Sequence, residues 1–154
     1  MRSNLTLCSI LFTAAVASHT AFAQADKAIS AGSISEVESG DAIERAKVSF
    51  IEPKDQATVG TTFKLKFAVQ GLKVAEAGAI VPGSGHFHLL IDTPVIKRNE
   101  AIVADAKHIH YGKGQTEATL TLPPGKHQLT LQFADGLHRS YGPSLTQTIT
   151  VNVK

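Results

Sequence analysis

The sequence predicts an all-β fold, an immunoglobulin-like β-sandwich of six to eight short antiparallel strands, and three observations lead there. From Ala46 onward apolar residues recur with period two, as in Phe63, Leu65, Phe67 and Val69 against Lys64, Lys66 and Ala68. That alternation is the mark of a strand with one buried face. Turn-forming groups such as Pro53-Lys54-Asp55, Pro82-Gly83-Ser84-Gly85 and Pro123-Pro124-Gly125 punctuate the chain at short intervals. Between them no stretch carries a convincing helical period, and many short strands without helices point to a sandwich.

The elements follow in order. Val48 and Phe50 belong to a first strand that ends at the Pro53 turn, and residues 63–69 form the clearest half-buried strand, ended by Gly71. Residues 77–85 read as loop. Residues 86–92 are the next strand, closed by Pro94, and a long connection follows with a short extended piece at 101–103. Residues 108–111 lead into the turn Gly112-Lys113-Gly114. Residues 116–122 and 127–133 make a hairpin about Pro123-Pro124-Gly125. Asp135-Gly136 opens a loop that runs to Pro143, and the β-branched residues 146–153 form the terminal strand.

The N-terminal residues predict the compartment. Arg2 precedes a mostly apolar run over residues 5–17, and Ala21-Phe22-Ala23 offers small residues where a signal peptidase cuts. The run is too short to span a bilayer and has the layout of a secretory signal peptide. The expected organisation is therefore a signal peptide at 1–23, a flexible or weakly helical lead-in at 24–45, and the sandwich domain at 46–154. Export to the periplasm follows, with no membrane insertion after cleavage. Cleavage also removes Cys8 and Met1, the sole cysteine and methionine, so neither disulfide nor sulfur ligand is expected. The formal net charge is only +2, without the basic stripe of a nucleic-acid-binding surface.

Two His-x-His triplets, His86-Phe87-His88 and His108-Ile109-His110, carry the chemical signal. Within a strand, residues i and i+2 share a face roughly 6.5–7 Å apart, and two imidazoles at that spacing can converge on one ion. Phe87, Leu89 and Ile91 form the natural core face of one strand, Ile109 and Tyr111 of the other. That places His86, His88, His108 and His110 on the outer face, where four nitrogens meet if the strands are neighbours. The same alternation also describes plain solvated strand residues, and that alternative stays open. His138, in the loop after Asp135, is a further candidate ligand. His127 and Asp92 are candidate supports behind the ligands; His127 is in phase with Leu129 and Leu131, as a rim residue bonded to backbone would be, and Asp92 also suits a turn before Thr93-Pro94. A sulfur-free imidazole site favours copper(II), zinc or nickel.

Other chemistries fit poorly. Gly83-Ser84-Gly85 is not the Gly-x-Ser-x-Gly elbow of a serine hydrolase, and no glycine-rich loop joins a strand to a helix as a nucleotide site requires.

The segments Gly85-His86-Phe87-His88-Leu89-Leu90-Ile91-Asp92, Lys107-His108-Ile109-His110-Tyr111-Gly112-Lys113-Gly114 and Leu122-Pro123-Pro124-Gly125-Lys126-His127 closely resemble the bacterial domain-of-unknown-function 4399 family, across about residues 46–154. The resemblance implies an exported, sandwich-like domain and no established activity. It carries over His86, His88, His108, His110, His127 and His138 as pattern positions. This chain departs from the pattern at Phe87 and Tyr141, where relatives often have histidine. The His86-Phe87-His88 strand is also locally similar to the copper-ligand strand of copper–zinc superoxide dismutases and to the His-x-His strand of cupins. The dismutases' cysteine pair and zinc-loop ligands are missing here, as is the glutamate that cupins need.

The expected function is an exported periplasmic binding domain with a histidine-rich surface site for a divalent transition metal, copper(II) or zinc. A metal-dependent redox enzyme on the same histidines, dismutase-like or cupin-like, is the alternative. An envelope interaction module without metal is a third. The metal ion is the one partner the residues suggest; a protein partner is left open.

Overall fold

The computed structural model describes residues 41–154, so the expected signal peptide and the lead-in through residue 40 lie outside the described residues. Residues 41–45 form one helical turn. The strands that follow are β1 (Lys47–Glu52), β2 (Ala57–Val59), β3 (Thr62–Gln70), β4 (Lys73–Val74), β5 (Ser84–Ile91), β6 (His108–Tyr111), β7 (Glu117–Thr121), β8 (Gly125–Ala134) and β9 (Thr146–Val153). A 3-10 turn, Pro143–Leu145, leads into β9.

Two sheets face each other. One has the order β1-β3-β7; the other runs β2-β9-β8-β5-β4, with β6 also paired to β5. The period-two residues fill the space between them: Val48, Phe50, Leu65, Phe67 and Leu120 from the first sheet, and Phe87, Leu89, Leu129, Leu131, Phe133, Ile149 and Val151 from the second. Aromatic rings interlock at the centre, Phe87 lying edge-on to Phe67 at 4.8 Å and to Phe133 at 4.9 Å. In an immunoglobulin domain strands A, B and E share one sheet and C, F and G the other. Here β1, β3 and β7 take the first set of places and β5, β8 and β9 the second, in chain order. The fold is an immunoglobulin-like β-sandwich. Two short strands pair in parallel, β2 with β9 and β4 with β5. At three and two residues they are too short to leave a periodic signature.

The outer face of the second sheet differs from the expectation of a solvated surface. Every residue of β5 is buried, and so are the last six of β8. The cause is the long connection between β5 and β6, which folds back as a strap over that face. Gln132 on β8 holds it, accepting from the Ile96 amide at 3.0 Å and donating to the Ile96 carbonyl at 2.6 Å. Its amide also donates to Ser140 Oγ at 2.6 Å. Beneath the strap Ile102 packs with Leu90 and Ala134, and Ile96 packs against them, in a second small core. The extended piece expected at 101–103 is there as an isolated bridge, Ala101 to Arg139.

Candidate metal centre

Strand phase puts His86 and His88 on the face of β5 opposite Phe87 and Leu89. The β5–β6 register then sets His110 directly across from His88 and His108 across from Leu90. A fourth imidazole arrives from the other side. After Ala134 the chain turns tightly at Asp135, whose Oδ1 accepts from the amides of Leu137 (2.8 Å) and Arg139 (2.9 Å). Its Oδ2 accepts from Arg139 Nε at 2.9 Å. The turn holds His138 at φ 66°, a left-handed conformation that costs a non-glycine residue about 1–3 kcal/mol. The Ile102 amide ties this turn to the strap by donating to the His138 carbonyl at 2.9 Å.

The four rings form one cluster. His86 lies 4.9 Å from His88, 4.9 Å from His110 and 5.1 Å from His138, centroid to centroid. His110 lies 5.0 Å from His88 and 4.6 Å from His138. His86, His110 and His138 each offer a nitrogen, all within 4.8 Å of one another. Nitrogens about 2.0–2.1 Å from a shared tetrahedral ion stand roughly 3.3 Å apart, so modest ring rotation closes the triad. His88 stands behind it, its Nε2 sharing a hydrogen bond of 3.0 Å with His86 Nε2. Two glycines make room. A Cβ on Gly112 would collide with the His110 ring, and one on Gly136 with the Ala79 carbonyl.

The electrostatics are those of neutral, desolvated imidazole. His86 and His88 are 0% exposed. Burial, then the neighbouring rings of His110 and His138, push His86 down to about 4. Burial, followed by the surrounding histidines, pushes His88 to about 2. His110 is lowered as well, by burial and then by His138. Nδ1 of His86, Nδ1 of His88 and Nε2 of His110 are buried without any hydrogen-bond partner. Such orphans are rare in folded proteins and call for an explanation. Neutral rings with free nitrogens, in a pocket without sulfur, suit copper(II), zinc or nickel. Beside His110 and His138 a cavity of about 260 Å³ opens, lined otherwise by Ala101, Ile102, Val103, Ala104 and Leu137.

The remaining expected residues lie elsewhere. His108 shares its strand face with His110, yet its Nδ1 donates to Asp105 Oδ1 at 2.9 Å and its Nε2 shares a hydrogen bond with Thr93 Oγ1 at 3.2 Å. His127 and Asp92 do not stand behind the cluster but bind each other, Nδ1 to Oδ2 at 2.7 Å, and His127 Nε2 donates to the Pro123 carbonyl at 3.0 Å. The bond to Asp92 raises His127 above the usual imidazole value against the pull of desolvation. At the two departures from the family pattern, Phe87 is a core residue and Tyr141 Oη donates to the Ser84 carbonyl at 2.6 Å. Sequence reasoning missed Asp135, Gly112, Gln132 and Ser140. Asp135-Gly136 and Gly112-Lys113-Gly114 left a trace, as turn signals; Gln132 and Ser140 left none.

No curated protein sequence matches this chain. Among solved structures it is similar to an endo-β-1,4-mannanase from Thermotoga petrophila, at 17% identity and a TM-score of 0.41, over 71% of this chain and 20% of that one. It is also similar to the fibronectin(III)-like modules of CbhA from Clostridium thermocellum, at 15% identity and a TM-score of 0.41, over 70% of this chain and 96% of that one. Residues 65–154, which hold the whole histidine cluster, match the family described as a domain of unknown function, DUF4399, and the chain belongs to that family.

Proposed function

We propose that this protein is an exported, periplasmic binding domain for one divalent transition metal ion, copper(II) or zinc, held by His86, His110 and His138 with His88 beside them. The observation that carries this reading is the meeting of four imidazoles from three separate segments in a pocket where three ring nitrogens lack any partner. A buried polar group left unsatisfied costs about 1–3 kcal/mol, and a metal ion would give the unpartnered rings of His86 and His110 a role as ligands. The same pocket is preformed by hydrogen bonds outside the cluster, notably those of Asp135 and Gln132. Binding would therefore not require the chain to fold around the ion.

Metal analysis of the protein isolated from the periplasm without a histidine tag, followed by calorimetric titration of the stripped protein, tests the reading. One ion per chain is expected. Metal-free isolates that also fail to take up copper(II) or zinc in titration would sink it and leave the third reading, an interaction module without metal.

A further inference from the structure

The proposed ligands are all neutral. Among the described residues, the group of donors that lie within 4.8 Å of one another contains no carboxylate. The nearest acid in the chain's course, Asp135, has both oxygens committed to the amides of Leu137 and Arg139 and to the Arg139 guanidinium. The Asp135 charge reaches His86 but is already paired with Arg139, so a divalent ion at this position would be only partly compensated, and burying the remaining charge is costly without a further counter-charge. The cavity beside His110 and His138 opens toward the same donors, and every other lining residue is aliphatic. Val103 and Leu137 stand at its exposed side, 74% and 49% accessible.

We infer that a metal ion held by His86, His110 and His138 takes its open coordination position from solvent as a small monoanion seated in this cavity. The inference rests on the metal-binding reading and deepens it by assigning an exogenous ligand. Three protein ligands plus one exchangeable position is the arrangement that admits outside ligands to zinc and copper. The anion supplies the missing negative charge, and the metal is the only cation it meets. The aliphatic walls offer no side-chain donor for the remaining oxygens of a phosphate or sulfate, so monoanions with one donor end and a small apolar or linear body fit best. Size agrees: a water molecule takes up about 30 Å³, and the cavity of about 260 Å³ has room for a carboxylate of a few carbons.

The test uses the protein loaded with one equivalent of copper(II), with azide and then acetate as probes. Electron paramagnetic resonance first establishes nitrogen ligation, and the azide titration is followed by the same signal and by the azide-to-copper charge-transfer band. A saturable change is expected. Val103→Trp and Ala104→Phe, which fill the cavity while leaving every ligand in place, should keep copper affinity and weaken azide about tenfold, near 1.4 kcal/mol. Acetate should compete with azide, whereas sulfate should not. A nitrogen-ligated copper signal that azide leaves unchanged overturns the inference while the metal reading stands. Azide affinity equal in wild type and both filled variants overturns it too, because the anion then binds outside the cavity. If copper does not bind with nitrogen ligation at all, both readings fall.

Discussion

Two groups of histidines sit on the same sheet and live in opposite surroundings. His127 has an acceptor at each ring nitrogen, the Asp92 carboxylate and the Pro123 carbonyl, and both bonds favour the doubly protonated cation. His86 and His88 are bonded only to each other, and one buried nitrogen on each of His86, His88 and His110 has no partner at all. The first arrangement raises the pKa and the second lowers it. His108 falls with the satisfied group although it shares a triplet with His110. A His-x-His spacing therefore does not define a site by itself. What separates the groups is whether the fold has already supplied each ring with a partner.

The largest expected effect breaks the comparison at the metal. Replacing His86 and His110 together by Ala should lower copper(II) or zinc affinity more than about a hundredfold, since even outer-shell losses cost 10–100-fold; His127→Ala should leave it within a few-fold. Calorimetric titration of the three proteins checks this. A more delicate arm is Gly112→Ala, which keeps every nitrogen but displaces the His110 ring, and about a tenfold loss is expected. Equal affinities in all four proteins would mean that the cluster is not the site.

Proton linkage gives the next effect, with opposite signs for the two groups. His86 and His88 have folded values near 4 and 2 against 6.5 for the free ring, so below 6.5 the unfolded chain binds the extra protons. Stability of the metal-free protein should fall as pH drops from 6.5 toward 4, by up to about 1.4 kcal/mol per pH unit for each group. His127 is raised, so its contribution is present below 6.5 and is lost as pH rises through its folded value. For Asp92 desolvation opposes ionisation, but the Gln128 amide and His127 overcome it and lower its value. Its share is lost only as pH falls below 3.8. Urea unfolding between pH 4.5 and 9 should show a steep acid side that a His86→Leu/His88→Leu variant flattens. A variant curve parallel to wild type would contradict the assignment.

The smallest effect isolates the satisfied group. His127→Ala removes two hydrogen bonds, one of them charge-assisted, yet Asp92 is well exposed and solvent screens the pair. A loss of about 1–2 kcal/mol is expected from chemical denaturation at pH 6. No change there would show that the pair is merely solvated.

Most of the sandwich was legible because its strands have one face in water or under side chains of their own sheet. Residues 63–69 and 146–153 alternate cleanly. The hairpin expected about Pro123-Pro124-Gly125 is instead a crossing between the sheets, because β7 pairs with β3 while β8 pairs with β5 and β9; turn residues mark where the chain reverses, not which strand it then joins. The burial of the outer face was not legible. It depends on the strap after β5, whose Ile96 and Ile102 have no period, and on Gln132 and Ser140, which look like ordinary surface residues until they hold that strap. The histidine cluster was half legible for the same reason. Spacing offered His108 and His110 equally; Asp105, three residues before His108, claims that ring through a turn. Asp92 finds its histidine 35 residues away, a distance that no local pattern records.

The strap has one more consequence, which concerns time. It is fastened at Gln132, at Ser140 and through the His138 turn, so its parts are tied to one another and it opens as a unit, by local unfolding. His86 and His88 lie under it, whereas His110 and His138 border the open cavity. For the ion we propose, release would therefore have two rates, a fast one for whatever is exchanged through the cavity and a slow one, set by the opening of the strap, for full exposure of the buried rings.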